Sequence, residues 1–328
     1  MDALQHTLKK SVSFAGIGLH SGQPVRMTIH PGEINSGIRL LRSDLDQVEP
    51  TPAFMDRVVD TRLATTVGTA KDATISTVEH VMAALFGLGI DNAVITVDGP
   101  EAPIMDGSAA PFVRVLHRVG RRRQQSRRWM LKFNEVVRFS DGQGGTVRIE
   151  PYNGFRVNCR IDYTHTQVGR QQFEIDLTPR SFASEVAGAR TFGFFNEVEY
   201  MRQNGLALGG SLDNAVVIDD HGVMNSDGLR YTDEFVRHKV LDLVGDLALL
   251  GFPVLGRVVA EKSGHGQHLG LMQAVAAKPE AWDIVAFENS GEFRVLQQLA
   301  QGTRKVGDRL LPYLLPPSVA LAPAAANG

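Results

Sequence analysis

Cysteine and long apolar runs are nearly absent from this sequence, and each absence excludes a class of protein. The 328 residues include one cysteine, Cys159, so neither an internal disulfide nor a multi-cysteine zinc knuckle can form. No run approaches the roughly 18 apolar residues that a membrane-spanning helix needs, and no apolar signal-peptide core lies near the N-terminus. The sequence therefore predicts a cytoplasmic protein without a transmembrane segment.

An excess of charge of one sign is absent as well. The formal net charge is −2 and the pI is about 6.6, so the composition predicts no nucleic-acid partner. There is no P-loop and no H-E-x-x-H motif, and the inverted zinc-protease motif would need histidine where Ser76 stands. Gly87 and Gly89 lack the third glycine of a dinucleotide site, because Asn92 occupies that position. Standard zinc peptidases and dinucleotide-binding enzymes are therefore disfavoured.

The length suits two domains, and hydrophobic residues make up 43% of the chain, enough for a substantial core. The boundary is predicted at Arg121–Arg128, which contains five arginines and no apolar residue. Such a run is typical of a solvated connector; the alternative is transient contact with the anionic surface of a membrane, or with a substrate phosphate. The predicted domains are residues 1–125 and 126–300, followed by an extension at 301–328 with a frayed end.

The order helix, glycine, strand occurs twice along the chain. One helix is predicted to begin near Ser76, which has capping-box spacing to Glu79, and a buried strand follows at 92–97. A longer helix is predicted at about 232–250, before a strand at 254–260. The repetition predicts two α+β halves that meet at a shared cleft.

The longer helix carries a polar stripe among apolar residues. His238, Asp242 and Asp246 are spaced i, i+4, i+8 and share one helix face. Buried charges are expensive unless they are paired or bound to metal, so the stripe indicates either a salt-bridge network with Arg237 and Lys239 or a metal site.

A histidine on the other predicted helix favours the metal. A catalytic zinc site needs three protein ligands and a position for water. His80, His238 and Asp242 supply two imidazoles and a carboxylate, and Glu79 stands beside the first ligand as a candidate base. The capping-box spacing of Glu79 also permits a purely structural role, as core packing does for His80.

A third candidate segment follows the second predicted strand. In Lys262-Ser263-Gly264-His265-Gly266, glycines flank the histidine, as expected of a loop where backbone comes close to a ligand. An ordinary turn with an exposed histidine is the alternative. His268 is a rival with less in its favour.

Taken together in order, the motifs resemble a known family. The matching segments combine the histidine and acidic residues above with glycine-rich turns: Thr77–His80, Gly89–Asn92, Pro103–Ser108, Ala189–Gly193, Gly209–Gly210, Asp233–Lys239, Asp242 with Gly245–Asp246, and Lys262–His265. Over residues 5–290 the pattern resembles the UDP-3-O-acyl-N-acetylglucosamine deacetylases, zinc amidases of bacterial lipid A synthesis. The resemblance implies zinc-dependent hydrolysis of the N-acetyl group, with release of acetate.

The resemblance also implies roles for individual residues. It places the zinc ligands on His80, His238 and Asp242, and the general base on Glu79. It implies that His265 acts as the acid, that Asp246 pairs with it and that Thr191 stabilises the oxyanion.

Substrate contacts are implied as well, by a looser match. Lys239 corresponds to a residue near the diphosphate, Phe192 to one near the sugar, and Tyr163 to a ring that stacks on uracil; Lys262 is also expected to bind substrate. A hydrophobic acyl passage is expected around an insertion at about 194–217, and its candidate residues, for which ordinary core packing is the alternative, are Leu63, Phe194, Leu208, Leu212 and Val217.

The implied fold is α+β: two β-α-α-β domains forming a sandwich with helices packed between two sheets. The substrate partner would be an acylated UDP-N-acetylglucosamine, and the resemblance suggests a monomer. Alternatives of other classes are a non-catalytic nucleotide-sugar- or lipid-binding protein, a metal-free structural protein and an amidase for a different N-acyl sugar. The ligand set alone also suits iron(II) or cobalt(II).

Overall fold

The computed structural model describes residues 2–69, 73–287 and the backbone of 293–295. The fold class is α+β, as predicted, with helices packed between two main sheets. The predicted extension at 301–328 lies outside the described residues. No helix in the described ranges is long and apolar enough to cross a membrane.

The N-terminal half is built around a sheet whose strand order, among the described residues, is β2-β3-β9-β4-β5. Alternation along β3 places Val25, Met27 and Ile29 in the core, as period-two patterning requires of a half-buried strand. The elements are β1 Leu4–Leu8, β2 Val12–Ile17, β3 Pro24–Pro31, β4 Ile38–Arg42, β5 Thr51–Pro52, β6 Val58–Asp60, β7 Thr66–Gly68, β8 Thr74–Ile75, α1 Glu79–Gly87, β9 Ala93–Val97, α2 Ala110–Val119 and β10 Arg121–Arg127.

The C-terminal half contains the larger sheet, in which the described strands run β12-β13-β19-β11-β20-β21, with β14 pairing β19 and β15 pairing β14. Its elements are β11 Trp129–Phe133, β12 Val137–Ser140, β13 Thr146–Glu150, β14 Phe155–Asp162, β15 Arg170–Asp176, α3 Pro179–Ser181, β16 Phe192–Phe194, α4 Phe195–Gln203, β17 Val216–Asp219, β18 Gly222–Val223, α5 Glu234–Leu247, β19 Val254–Glu261, α6 His265–Ala277, β20 Trp282–Phe287 and β21 Phe293–Val295.

A small sheet interrupts each half. Strands β6, β7 and β8 form one, and β16, β17 and β18 form the other together with α4. The second of these lies where the sequence predicts an insertion at about 194–217.

Helices α1 and α5 pack directly against each other between the main sheets, with α2 beside α1 and α6 beside α5. Every residue of α5 is buried except Arg237 and Lys239. Gly245 makes the close approach possible, because a β-carbon there would lie 2.0 Å from the carbonyl oxygen of Glu79. Any larger residue would push α1 away from α5 and separate the functional side chains that the two helices carry.

The helix–glycine–strand repetition is confirmed. Helix α1 is followed by Gly89 and β9, and α5 by Gly251 and β19. Both glycines have positive φ, +67° and +77°, a conformation that glycine adopts without steric cost and that commonly ends helices.

The capping-box prediction is wrong. Helix α1 begins at Glu79, and Ser76 instead forms a β-bridge with Glu101. Thr77 turns the chain with φ +56°, which prevents Ser76 from lying over the first turn. The Glu79 carboxylate is thereby free of the capping role and points elsewhere.

The prediction that Arg121–Arg128 is a solvated connector is also wrong. Residues 121–127 form strand β10, which pairs antiparallel with β1. Arg121 donates to the carbonyl oxygens of Leu88 and Gly89, and Arg128 pairs with Asp91 at 2.6 Å. Backbone pairing and these specific acceptors outweigh the mutual repulsion of the arginines. The acceptors of Arg121 lie just after the C-terminus of α1, at the opposite end of that helix from Glu79.

Candidate active site

The polar stripe on α5 is confirmed. His238, Asp242 and Asp246 are 2%, 3% and 1% exposed, and all three face the packed helices α1 and α6. Groups this deeply buried need partners. The structure provides two different sets of partners, one for His238 and Asp242 and one for Asp246.

The first set brings His80 of α1 to the α5 pair. Asp242 Oδ1 lies 3.2 Å from His238 Nε2 and 3.7 Å from His80 Nε2, and the two imidazole planes are nearly perpendicular, at 86°. His238 Nδ1 lies 3.0 Å from the carbonyl oxygen of Ala189. Because that oxygen can only accept, Nδ1 carries the proton and Nε2 presents its lone pair to the group.

These three residues fit a metal ion. Their ligand atoms lie within 4.8 Å of one another, and all three side chains are buried. Burial, with the nearby His80 and Lys239 charges, lowers the pKa of His238 to about 3 despite Asp242. A neutral imidazole and an ionised carboxylate are the protonation states that a metal ligand needs.

The salt-bridge alternative is half right. Lys239 Nζ lies 2.9 Å from Asp242 Oδ2, whereas Arg237 pairs with Asp233. Burial by itself would raise the pKa of Asp242, but His238 and Lys239 hold it well below its usual range. Lys239 engages one carboxylate oxygen and leaves the other facing the imidazoles.

Glu79 lies beside this group, held by a residue that the sequence did not single out. The backbone N–H of Thr65 donates to Glu79 Oε2 at 3.0 Å, and Glu79 Oε1 lies 3.9 Å from His265 Nε2. Burial raises the pKa of Glu79, and the nearby His265 and His80 oppose the rise. Thr65 lies on a loop before β7, and no sequence pattern marks it.

The second set of partners surrounds Asp246. His265 Nδ1 and His268 Nδ1 lie 2.7 Å and 2.6 Å from Asp246 Oδ2, and the Thr65 hydroxyl donates to Oδ1 at 2.6 Å. Burial would lower the pKa of His265, but the charge and hydrogen bond of Asp246, with Glu79, raise it to about 10. His265 is therefore a cation at neutral pH.

Two sequence expectations change here. His265 is the first residue of α6 rather than part of a loop. His268, which by sequence ranks below His265 as a candidate site residue, contacts the same carboxylate of Asp246 as His265 does. Its position three residues after His265 on α6 is the sequence signal that could have indicated this shared contact.

A non-glycine residue with positive φ lies shortly before α1 and another shortly before α6. Thr77 and Lys262 have φ values of +56° and +50°, and for a β-branched residue such as threonine this conformation is a genuine outlier. The hydroxyl of Thr77 donates to Glu101 at 3.0 Å, which holds the turn in place. Strain of this kind is characteristic of residues that aim functional groups.

Three of the predicted substrate residues, Tyr163, Phe192 and Phe194, form an aromatic cluster. The centre of the Tyr163 ring lies 5.8 Å from that of Phe192 and 5.7 Å from that of Phe194. Lys239 Nζ lies 5.6 Å from the centre of the Phe192 ring, so this cluster adjoins the metal group. Tyr163 and Phe194 also border a cleft of 590 Å³. Lys262 pairs with Asp162, beside Tyr163 in sequence, at 3.0 Å.

The remaining predicted residues differ in exposure. Leu63, Leu208 and Leu212 are 46%, 53% and 44% exposed. Val217 is buried and packs within the protein. The N–H of Thr191 donates to the carbonyl oxygen of Gly107, and the carbonyl oxygen of Thr191 accepts from the N–H of Val216, so two backbone hydrogen bonds fix this residue.

Comparison with known proteins identifies the family of this chain. The model of the family described as UDP-3-O-acyl N-acetylglycosamine deacetylase matches residues 5–277. The chain belongs to this family. Curated relatives named UDP-3-O-acyl-N-acetylglucosamine deacetylase are similar over most of their length.

Three relatives from Shewanella species illustrate the degree of similarity. The protein of Shewanella sp. (strain W3-18-1) is 45% identical over 300 residues, which cover 91% of this chain and 98% of that protein. Those of Shewanella halifaxensis (strain HAW-EB4) and Shewanella baltica (strain OS155 / ATCC BAA-1091) are each 46% identical, over 88% and 89% of this chain and 94% and 95% of their own.

In this member of the deacetylase family, the arrangement combines three chemical capacities. A buried His-His-Asp group can bind a cation, a carboxylate of raised pKa can accept a proton, and a charged imidazole can donate one. Such a set suits hydrolysis of an amide.

Proposed function

We propose that this protein hydrolyses the N-acetyl group of UDP-3-O-acyl-N-acetylglucosamine with the help of zinc and releases acetate, in lipid A biosynthesis. The observation that carries the proposal is the buried convergence of His80, His238 and Asp242 beside Glu79 and His265. Membership of the deacetylase family and the names of the relatives support the choice of substrate.

His80, His238 and Asp242 would hold the zinc ion, an assignment supported by their chemistry. Two imidazoles and one carboxylate form a ligand set used by catalytic zinc, and the Ala189 carbonyl fixes the orientation of His238. When bound, zinc would lower the pKa of a water molecule and polarise the amide carbonyl. Iron(II) and cobalt(II) accept the same ligands, so the native metal is part of the proposal.

Glu79 would act as the general base. Its carboxylate accepts a proton from the attacking water as the bond to the amide carbon forms. A raised pKa suits this task, because a base works best when its pKa approaches the working pH. The Thr65 N–H holds Oε2 and leaves Oε1 as the acceptor.

His265 would act as the general acid. Its Nδ1–H is committed to Asp246, so the proton available for transfer is on Nε2, which faces Glu79. Donation from Nε2 to the amide nitrogen allows the C–N bond to break without expelling an amide anion. Thr191 would donate to the carbonyl oxygen as negative charge develops on it.

The other predicted residues would bind the substrate. Lys239 would contact the diphosphate while its ammonium retains Asp242, since it has three donors; Phe192 would meet the sugar, and Tyr163 the uracil, with Lys262 nearby. The acyl chain would lie along Leu63, Phe194, Leu208 and Leu212, and the buried Val217 would contribute through β17, which pairs with the strand that carries Phe194.

Replacement of Glu79 tests the proposal. We expect Glu79→Gln to lower kcat by about 10²- to 10⁴-fold while the metal content stays equal to that of the unmodified protein. Acetate release from the acylated UDP-sugar would be followed by mass spectrometry, with and without a chelator. Normal turnover in the variant would exclude Glu79 as the base, and absence of turnover in the unmodified protein would favour a binding role.

Activity on a second substrate distinguishes the proposal from the remaining alternative, an amidase of different specificity. If the protein released acetate faster from an N-acetyl sugar lacking the UDP or the acyl chain, an amidase of different specificity would replace the proposal. A cytoplasmic location, a monomeric state and transient contact with a membrane surface remain predictions.

A further inference from the structure

His268 belongs to the hydrogen-bond network of Asp246 without facing the metal ligands. It lies one turn after His265 on α6 and is 1% exposed. Its Nδ1 is 2.6 Å from Asp246 Oδ2, and its Nε2 is 3.0 Å from the hydroxyl of Ser263. Both ring nitrogens are therefore engaged, and the ring is held on the side of Asp246 that His265 also uses.

The partners determine which nitrogen carries a proton. Asp246 is an acceptor, so the Nδ1 atoms of both His265 and His268 must donate. The two donors share Oδ2, while the Thr65 hydroxyl donates to Oδ1. Three donors thus fix this carboxylate, which explains why an ionised group remains stable when almost fully buried.

Sharing one oxygen has a consequence for His265. A carboxylate oxygen that accepts a second N–H has less negative charge available for the first. Among the described residues, the titratable groups near His265 are Asp246, Glu79 on α1, Asp242 one turn before Asp246 on α5, and His268, whose ring centre lies 6.1 Å from that of His265. Among them, His268 alone both contacts Asp246 and has no part in the proposed reaction.

We propose that His268 is a positioning residue that fixes the Asp246 carboxylate and draws off part of its charge, so that His265 releases its Nε2 proton more readily. The effect on turnover rests on the proposed function. The effect on His265 itself does not, because it follows from the hydrogen bonds alone.

The same three residues could be regarded as a second metal site, since their ligand atoms also lie within 4.8 Å of one another. The short contacts argue against it: both Nδ1 atoms approach one carboxylate oxygen at hydrogen-bond distance, and nitrogens that carry protons have no lone pair for a cation.

Replacement of His268 by leucine and by asparagine tests the proposal. In the metal-loaded protein, His268→Leu removes the donor and should lower kcat about tenfold with little change in KM, because His265 becomes a weaker acid. The alkaline limb of the pH–rate profile, where His265 loses its proton, should move to higher pH. His268→Asn keeps an N–H near the position of Nδ1 and should restore both kcat and the profile.

Two further variants serve as controls. Ser263→Ala removes the hydroxyl that contacts His268 Nε2. It should shift the alkaline limb of the pH–rate profile in the same direction as His268→Leu does, but by less. Val275→Ala truncates a buried residue of the same helix, 2% exposed, away from Asp246. It should lower the melting temperature and leave the pH–rate profile unchanged, which separates loss of helix stability from loss of the hydrogen bond.

A measurement independent of turnover completes the test. In protein labelled with ¹⁵N-histidine, the NMR titration of His265, assigned with a His265→Asn variant, should move to higher pH in His268→Leu. An unchanged titration overturns the inference even if the unmodified protein proves inactive, in which case the proposed function fails separately. Equal damage in His268→Asn and His268→Leu, or loss of a second metal equivalent in either, also overturns it.

Discussion

Helix α5 contributes to two groups of identical composition, each with two histidines and one aspartate. The two groups differ in the distances between their atoms and in the direction in which a histidine pKa is shifted. In the first group, Asp242 Oδ1 lies 3.2 Å and 3.7 Å from imidazole nitrogens. In the second group, Asp246 Oδ2 lies 2.7 Å and 2.6 Å from them. The pKa of His238 is lowered to about 3 and that of His265 is raised to about 10.

The difference originates in the other partners of each aspartate and histidine. Burial keeps the His238 imidazole neutral, and the charge of Lys239, which pairs with Asp242, acts in the same direction. The Nδ1–H of His238 donates to a backbone carbonyl, which leaves the Nε2 lone pair free. His265 has Asp246 on Nδ1 and Glu79 beyond Nε2, so it stays charged. Under the proposed function, the same residue types would thus form a cation site and a proton-donating site one helical turn apart.

The largest effect is expected for Asp242→Asn, which changes the first group. We expect loss of the bound metal and a fall in activity of about 10³-fold or more, because an amide is a weak ligand and cannot replace the charge. Metal content measured by elemental mass spectrometry checks the result. A variant that retains one metal per chain and normal turnover would contradict the assignment of the first group.

The matching change in the second group is Asp246→Asn. The metal should remain bound, whereas kcat should fall about 10²-fold, because His265 loses the carboxylate that keeps it protonated. The alkaline limb of the pH–rate profile should move to lower pH. Metal loss in this variant equal to that in Asp242→Asn would mean that the two groups act as one.

The pH dependence of stability should also differ between Asp246→Asn and the unmodified protein. The pKa of His265 in the folded protein, about 10, exceeds its unfolded value, so its stabilisation is complete below about pH 6.5 and is lost as pH rises towards 10. The free energy of unfolding of the unmodified protein should therefore fall across this window by on the order of 3 kcal/mol more than that of Asp246→Asn. Urea unfolding of both proteins in chelator at pH 6.5 and 10 measures the difference. Parallel losses would contradict it.

The smallest effect is expected for Thr65→Val. The substitution removes the hydroxyl that donates to Asp246 Oδ1 and keeps the backbone N–H that donates to Glu79. Loss of one charge-assisted hydrogen bond should lower kcat about tenfold without affecting metal content. Thr65→Ser retains the hydroxyl and is the matched control; if it were as impaired as Thr65→Val, packing rather than the hydrogen bond would be responsible.

Much of the site was accessible from the sequence because helix periodicity is local. The spacing of His238, Asp242 and Asp246 predicted one buried polar face, and the repeated helix–glycine–strand order predicted the two halves. The wrong predictions concern residues whose partners are distant in sequence. Ser76 forms a β-bridge with Glu101 instead of capping α1, and the strand that carries the arginines, β10, pairs with β1.

Sequence alone determined which residue types were present, which of them shared a helix face and, by family resemblance, what reaction to expect. Only the tertiary structure decided which atoms meet. The approach of α1 to α5 at Gly245 places His80 against Asp242, and the start of α6 brings two histidines to Asp246. Thr65 and His268 acquire their importance in the same way, since hydrogen bonds depend on distances of a few tenths of an ångström that no spacing along the chain specifies.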